Sequence, residues 1–361
     1  MTNRHTYRVR SPGRVNLVGG HTDYAGGHVL PFATDRHTRL DATPAETVTV
    51  RSEAVGERRS FPPADRARTG SWVDYVKGCY AVLDEAGYHP GGFTGDIGGT
   101  LPLGAGLSSS ASLELAVMAL LNEAYDLGLD RERMARLCQD VENDFVGVDC
   151  GIMDQFAVAL GRAGHALHVD TGTLDYDPVP FPEDLGVVVY HTGVTHELVD
   201  SAYNERRETV RTALDTLGVG ASTALDEDDL GTLPARQRGR LGYVVRENER
   251  VRRAKTALEA GEVGTLGAVL KAAHRDIAEH YEASCEELDY VVETAIASGA
   301  YGARLTGAGW GGAAIAVVDA TETRDLARAV HDAYRDRYPD HDGGYHLVTP
   351  SAGVSVERVD Q

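Results

Sequence analysis

Residues 101–114 read LPLGAGLSSSASLE, and the interpretation of the whole chain turns on them. Gly104 and Gly106 carry no side chain, so their backbone amides can come close to a ligand. Ser108, Ser109 and Ser110 then open the run SASLELAVMALLNEAYDLG, where Leu113, Val117, Leu120, Leu121 and Ala124 recur close to helical period. A helix starting at the serines presents unpaired N–H groups and the positive end of its dipole, which together make an anion site. A plain helix cap in a glycine-rich turn needs one serine rather than three. The loop therefore points to phosphate. The chain has no G-x-x-x-x-G-K-[ST], so this is not a Walker P-loop.

Three further segments carry chemistry. Upstream, GRVNLVGGHTDY (Gly13 to Tyr24) places an Arg, a His, an Asp and a Tyr around a Gly-Gly pair at the end of an apolar strand. Downstream, VENDFVGVDCGIMDQF (Val141 to Phe156) holds Glu142, Asp144, Asp149 and Asp154. Glu142 belongs to a polar helix. Asp154 is the only acid in the otherwise apolar IMDQFAVALG, where burying it requires a partner or a task, and Arg14 is the natural partner. Phosphoryl transfer to a hydroxyl needs a base or orienting group, a cation for developing charge, and magnesium. The last segment, TGAGWGGAAIAVV (Thr306 to Val318), formally fits G-x-G-x-x-G but leads into an apolar run instead of a helix. It reads as a tight loop between two strands, either brushing a ligand or purely structural.

Length and composition set the frame. At 361 residues the chain exceeds one compact core, which predicts two domains, 1–175 and 176–361. Strand patterns (RVNLVG, HTRLDATPAETVTVRS, LGVVVYHTG, ARLTG, AAIAVV, YHLVTPSAGVSVERV) mix with helical ones at Glu197–Leu217, Arg240–Glu262, Cys285–Ala297 and Thr323–Arg337. Without strict β-α-β alternation, this predicts an α+β fold with mixed or antiparallel sheets. LDEDDLGTLPARQRG (Leu225 to Gly239) reads as a loop. A net charge of −20 argues against nucleic acid. No apolar run reaches membrane-span length and MTNRHTYRVRSPG lacks a signal-peptide centre, so a cytoplasmic protein is expected. Cys79, Cys138, Cys150 and Cys285 are scattered, which fits neither a disulfide framework nor zinc. Lys77, Lys255 and Lys271 are the only lysines, which points to a halophilic, salt-rich cytosol; a GC-rich genome writing Arg for Lys is the alternative.

Taken together, the three glycine- and acid-rich segments resemble the GHMP small-molecule kinases, and within them the galactokinase family. GRVNLVGGHTDYAGGHVLP resembles its sugar signature, PLGAGLSSSASLE its phosphate loop and LTGAGWGG its third motif. WVDYVKG, CGIMDQF, GHALHVDTGTL, AYNERR and HYEASCEELD are similar to family segments in the right order. The resemblance implies a two-domain fold with the active site in the cleft, ATP with Mg2+, and phosphorylation of the anomeric hydroxyl of a galactose-type sugar. It implies that Asp154 takes or orients the O1 proton and that Arg14 stabilises the moving phosphoryl group. Asp23, His21 and Tyr203 match sugar-binding positions, and Gly104, Gly106, Leu107, Ser108, Ser109, Ser110 and Ala111 match the ATP loop. Ser110 and Glu142 match magnesium-side positions. A monomer or weak homodimer is expected, without nucleic-acid or membrane partners.

The chain departs from the family pattern at Gly20, usually Glu, at Ala25, usually Asn, and at Ala278, usually Arg. Gly20 would withdraw a carboxylate from the C6 end of the sugar, which makes galacturonate and L-arabinose alternatives to galactose. A non-catalytic sugar sensor on the same fold is the rival from another class, and the intact serine loop with Asp154 and Arg14 argues against it. Mevalonate-type kinases lack the GHTDY block.

Overall fold

The computed structural model describes residues 5–195 and 199–359. In chain order the elements are β1 (Thr6–Asn16), β2 (His28–Val29), β3 (Pro31–Ala45), β4 (Val48–Ser52), β5 (Glu57–Phe61), α1 (Val73–Glu85), β6 (Gly92–Gly99), α2 (Ser109–Ala124), α3 (Arg131–Asp140), α4 (Met153–Leu160), β7 (His165–Asp170), β8 (Tyr176–Pro180) and β9 (Leu185–Thr195). Then come α5 (Val199–Leu217), α6 (Ala235–Ala260), α7 (Val263–Glu279), α8 (Glu286–Ala297), β10 (Gly302–Thr306), β11 (Gly311–Asp319), α9 (Thr323–Arg337), β12 (Gly344–Val348) and β13 (Ser355–Val359).

Three sheets result, ordered β13-β1-β3-β6-β4-β5, β10-β11-β9-β12 and β2-β7-β8. All pairings are antiparallel except β4 with β6, so the first sheet is mixed and the fold is α+β. Early β1 alternates, with Tyr7 and Val9 inward and Arg8 and Arg10 outward, and from Ser11 onward every residue is buried. The β1–β3 register shifts between Pro12 and Arg14, a bulge that re-aims the strand. Gly13 is required there: a Cβ would lie 2.5 Å from Leu101 Cδ1 and 2.6 Å from the Leu107 carbonyl oxygen. Behind this sheet α2 is apolar on nearly all sides, with Ala111 to Leu121 buried apart from Leu113.

One apolar core lies behind the first sheet and a second lies among β9–β11 and α5–α9. A third joins Val15, Leu17, Leu30 and Phe32 to Val251, Leu270 and Ile315, so the two halves of the chain share buried surface.

Several expected elements come out differently. HTRLDATPAETVTVRS breaks after Ala45, and β4 leaves to pair parallel with β6. YHLVTPSAGVSVERV splits between two sheets: β12 pairs with β9, while β13 crosses back to β1. VENDFV does not extend α3 but forms a short π-helical segment, Val141–Val146. The stretch read as loop contains a 3-10 turn, Glu227–Thr232, and the start of α6. α1 and α7 were not expected. The expected start of the α5 helix, Glu197, lies outside the described residues.

Candidate active site in the cleft

The bulge at Gly13 turns Arg14 towards the loop before α2. The Arg14 backbone N–H donates to the Leu107 carbonyl at 3.1 Å, and its Nη1 donates to the Gly106 carbonyl at 2.8 Å. The other face of the guanidinium grips Asp154, Nε to Oδ1 and Nη2 to Oδ2, both at 2.6 Å. Asp154 stands in the first turn of α4, where the helix dipole favours a carboxylate. Ser108 also donates its hydroxyl to Asp154 Oδ2. Ser108 holds a left-handed φ of 56° at the mouth of α2, a strained conformation of the kind that gathers at functional sites. The pairing of Arg14 with Asp154 expected from sequence is therefore present, and one serine of the loop already belongs to it.

Asp23 approaches from the turn after β1. Gly151 makes room for it: a Cβ there would lie 2.0 Å from Asp23 Oδ2. Burial, then the charge of Asp154, pushes the Asp23 carboxyl up to about 6. His21 has a φ of 61° and is 5% exposed. Its Nδ1 bonds the Tyr24 hydroxyl at 2.9 Å and its Nε2 the Ala308 carbonyl at 2.8 Å. Burial pushes its pKa down to about 4, so it is neutral, with Nε2–H donating to Ala308. Both nitrogens are thus engaged within the protein, and His21 builds the wall of the site. Tyr203, from α5, packs its ring 5.5 Å from that of His21 and 5.6 Å from that of Tyr24.

Three cavities meet around these groups. One, of about 150 Å³, is lined by Arg14, Gly20, His21, Asp23, Asp154 and Tyr203. A second, of about 480 Å³, lies between Gly104–Ser110 and the backbone of 306–313, with Arg14 common to both. The TGAGWGG segment forms the β10–β11 turn and lines both cavities. It is tied down by Thr306 Oγ1 donating to the Asn16 carbonyl at 3.1 Å and by the Trp310 N–H donating to the Ala283 carbonyl at 2.8 Å. The third cavity, of about 320 Å³, is mainly apolar, walled by Val55, Trp72, Ile97, Leu101, Leu103 and Leu113, with Ser109 on its edge. Leu103 is 59% and Val55 44% exposed, an apolar surface left open to solvent beside the serine loop.

Beyond Ser109, the Ser110 hydroxyl hydrogen-bonds the carboxylate of Glu142, which is 6% exposed. Burial raises the Glu142 carboxyl, and the serine works against that rise. Ala111, the next residue of α2, is fully buried and anchors the helix start.

Sequence reasoning missed the apolar cavity, Asn16 and Cys150 in the wall of the small cavity, and two buried charges behind it, Glu247 and Arg304. Arg304 was findable by the logic applied to Asp154, as a lone charge in the apolar strand ARLTG.

Three family models match: the GHMP kinases N terminal domain over residues 74–162, the GHMP kinases C terminal domain over 254–340, and the galactokinase galactose-binding signature over 2–44. A galactokinase from Thermococcus kodakarensis is 52% identical over 97% of this chain and 99% of that protein. The chain belongs to the galactokinase family. A Pyrococcus furiosus galactokinase is 46% identical over 96% of this chain and 99% of its own length. The crystal structure of Lactococcus lactis galactokinase complexed with galactose superposes with a TM-score of 0.91 at 34% identity, covering 97% of this chain and 95% of that one. Among galactokinases, then, this chain is an end-to-end relative and a kinase of sugar hydroxyls.

These relatives do not favour galacturonate or L-arabinose as the substrate, and the geometry at Gly20 gives a physical reason. Gly20 does line the small cavity, but the space beside it is filled. A Cβ on Gly20 would start 2.8 Å from Arg304 Nη2, 3.7 Å from Ile277 Cδ1 and 3.7 Å from the Tyr243 hydroxyl. The glycine accommodates a buried guanidinium, and the expected vacancy at C6 is not its consequence.

Proposed function

We propose that the chain transfers the γ-phosphoryl group of ATP to the anomeric hydroxyl of galactose. The observation that carries this reading is the Arg14–Asp154 pair, set where a small polar cavity and a glycine-lined cavity meet. In this reading the sugar occupies the small cavity. Asp23 accepts from ring hydroxyls, where one carboxylate can serve an axial and an equatorial OH. Gly20, His21 and Tyr203 form the wall. The anomeric hydroxyl faces Asp154, whose oxygens keep lone pairs beyond those given to Arg14 and Ser108. Asp154 orients that hydroxyl and receives its proton as the O–P bond forms and the bond from the γ-phosphorus to the β,γ-bridging oxygen breaks, leaving ADP.

The phosphates lie along Gly104, Gly106, Leu107, Ser108, Ser109, Ser110 and Ala111, on the amides at the start of α2. Arg14 meets the charge that builds on the equatorial oxygens of the transferring group. The apolar cavity suits the adenine ring: it would lie against Trp72 and cover Val55 and Leu103, which accounts for the exposure of the last two. Glu142 and Ser110 fit a magnesium ion. A nearly buried carboxylate holding a single hydroxyl is short of positive partners, and magnesium takes one or two carboxylates, completing its shell with water and substrate phosphate. Bound there, the ion would neutralise phosphate charge, while Ser110 and Glu142 hold it.

The two main cores support a division near 1–175 and 176–361, although β13 belongs to the first sheet, β8 pairs with β7 across the boundary and Ala25 packs in the second core. Among the described residues no helix is long and apolar enough to cross a membrane. A cytoplasmic enzyme, monomeric or weakly dimeric and adapted to salt, fits the charge. Incubation with MgATP and a panel of galactose, galacturonate, L-arabinose and mevalonate, following ADP release and sugar 1-phosphate, tests the reading. Turnover highest on a sugar other than galactose would overturn it.

A further inference from the structure

Behind the sugar-side wall, Glu247 of α6 is fully buried. Its Oε1 accepts from two successive backbone amides, Gly19 at 3.0 Å and Gly20 at 3.3 Å. The same oxygen lies 3.2 Å from Nη1 of Arg304, itself 1% exposed, while Oε2 accepts from Arg250 Nη1 at 3.0 Å. Arg304 Nη1 also donates to the Leu17 carbonyl at 3.2 Å. On the same face of α6, the Tyr243 hydroxyl donates to the Gly20 carbonyl at 3.0 Å, and Asn248 Oδ1 accepts the His28 N–H at 2.9 Å. β1 ends at Asn16; Leu17 and Val18 still pair with Leu30 through the backbone, and the next two amides, Gly19 and Gly20, turn to Glu247 instead. Gly19, at φ 93°, and Gly20 have no side chains with which to anchor themselves. A carboxylate buried this deeply is tolerated only with cations and donors around it, and here they fix it in one place.

We propose that Glu247 is a positioning residue for the sugar site: with Arg304 as counter-ion, it sets the Gly19–Gly20 turn and, through it, the side chains of His21 and Asp23. The proposal rests on the reading of the small cavity as the sugar site. It also gives Gly20 its reason, because a side chain there would press on Arg304 Nη2 and displace the guanidinium from the carboxylate. The turn touches the sugar and not the phosphates, so disturbing it should weaken the sugar and spare the nucleotide.

The test is steady-state kinetics of the full-length enzyme with galactose and MgATP, comparing wild type with Glu247→Gln, alongside thermal melts. Glutamine keeps an acceptor oxygen but loses the charge that two arginines face. The expected result is a folded variant whose galactose KM rises about tenfold to a hundredfold, with kcat within about threefold and ATP KM within about twofold of wild type. A folded variant with unchanged galactose KM overturns the proposal, and so does a joint fall of kcat with a rise in both KM values, which would mean general loosening. If Glu247→Gln does not fold, Tyr243→Phe decides, because it removes only the hydroxyl that holds the Gly20 carbonyl. A rise in galactose KM of about threefold at constant ATP KM is then expected, and no change overturns the proposal. Failure of the wild-type protein to convert galactose would overturn the sugar reading itself, and this proposal with it.

Discussion

Two arginine–carboxylate pairs lie close together in this molecule and differ in what they can reach. Arg14 and Asp154 meet through two parallel bonds, and the aspartate side chain keeps 27% of its surface open to the cleft. Arg304 and Glu247 are sealed at 1% and 0%, and their other bonds go to the Gly19 and Gly20 amides, the Leu17 carbonyl and Arg250, all within the protein. A buried charge therefore does not by itself mark chemistry. The open pair can act on a substrate, whereas the sealed pair can only hold the turn in front of it.

The sharpest way to break this contrast is at Asp154. Asp154→Asn removes the proposed proton acceptor and retains the shape. We expect kcat to fall by about 10²–10⁴, with galactose KM changed little and the fold kept by circular dichroism. Near-full kcat would place both pairs in the same structural class. Arg14→Ala comes next. It should lower kcat by about 10²-fold, more than it raises galactose KM, because its charge is needed chiefly in the transition state. An effect confined to KM would move Arg14 into ground-state binding. Together with the KM effect expected for Glu247→Gln, the two pairs would separate as kcat against KM.

pH offers a subtler test of the open side. Asp23 titrates near 6, so as the pH falls through that value it takes up a proton and becomes a poorer acceptor. Galactose kcat/KM should then drop by about tenfold per unit below that point, the limit for a single ionisation. His21, pushed down to about 4, stays neutral above pH 5 and adds no limb of its own. A flat profile from pH 5 to 8 would remove Asp23 from sugar recognition. The smallest effect expected is on stability. With a net charge of −20, KCl near 1 M should raise the thermal midpoint, since the Debye length falls from about 10 Å at 0.1 M to about 3 Å. An unchanged or lower midpoint would leave genome composition as the explanation of the scarce lysines.

What was legible in the sequence follows from how local its signals are. Asp154 was visible because its helix is otherwise apolar, and the serine loop because glycines and hydroxyls sit next to a periodic helix. Glu247 was not, since it lies in YVVRENERVRRA, where charges surround it and only the packing of α6 shows which one is buried. The three-dimensional partners of β4 and β13 depend on contacts distant in sequence, which neither alternation nor turn residues encode. The apolar cavity was hidden for the same reason: Val55, Trp72 and Leu103 come from three separate segments.

The last strand carries a consequence for how the molecule is made. β13 pairs with β1, Thr6 opposite Val359 and Arg10 opposite Ser355, so the edge of the first sheet is supplied by a strand that follows all its other strands in the chain. The strands of that sheet that leave the ribosome first must wait for β13 before the edge beside β1 is closed, and exposed strand edges invite pairing with other chains.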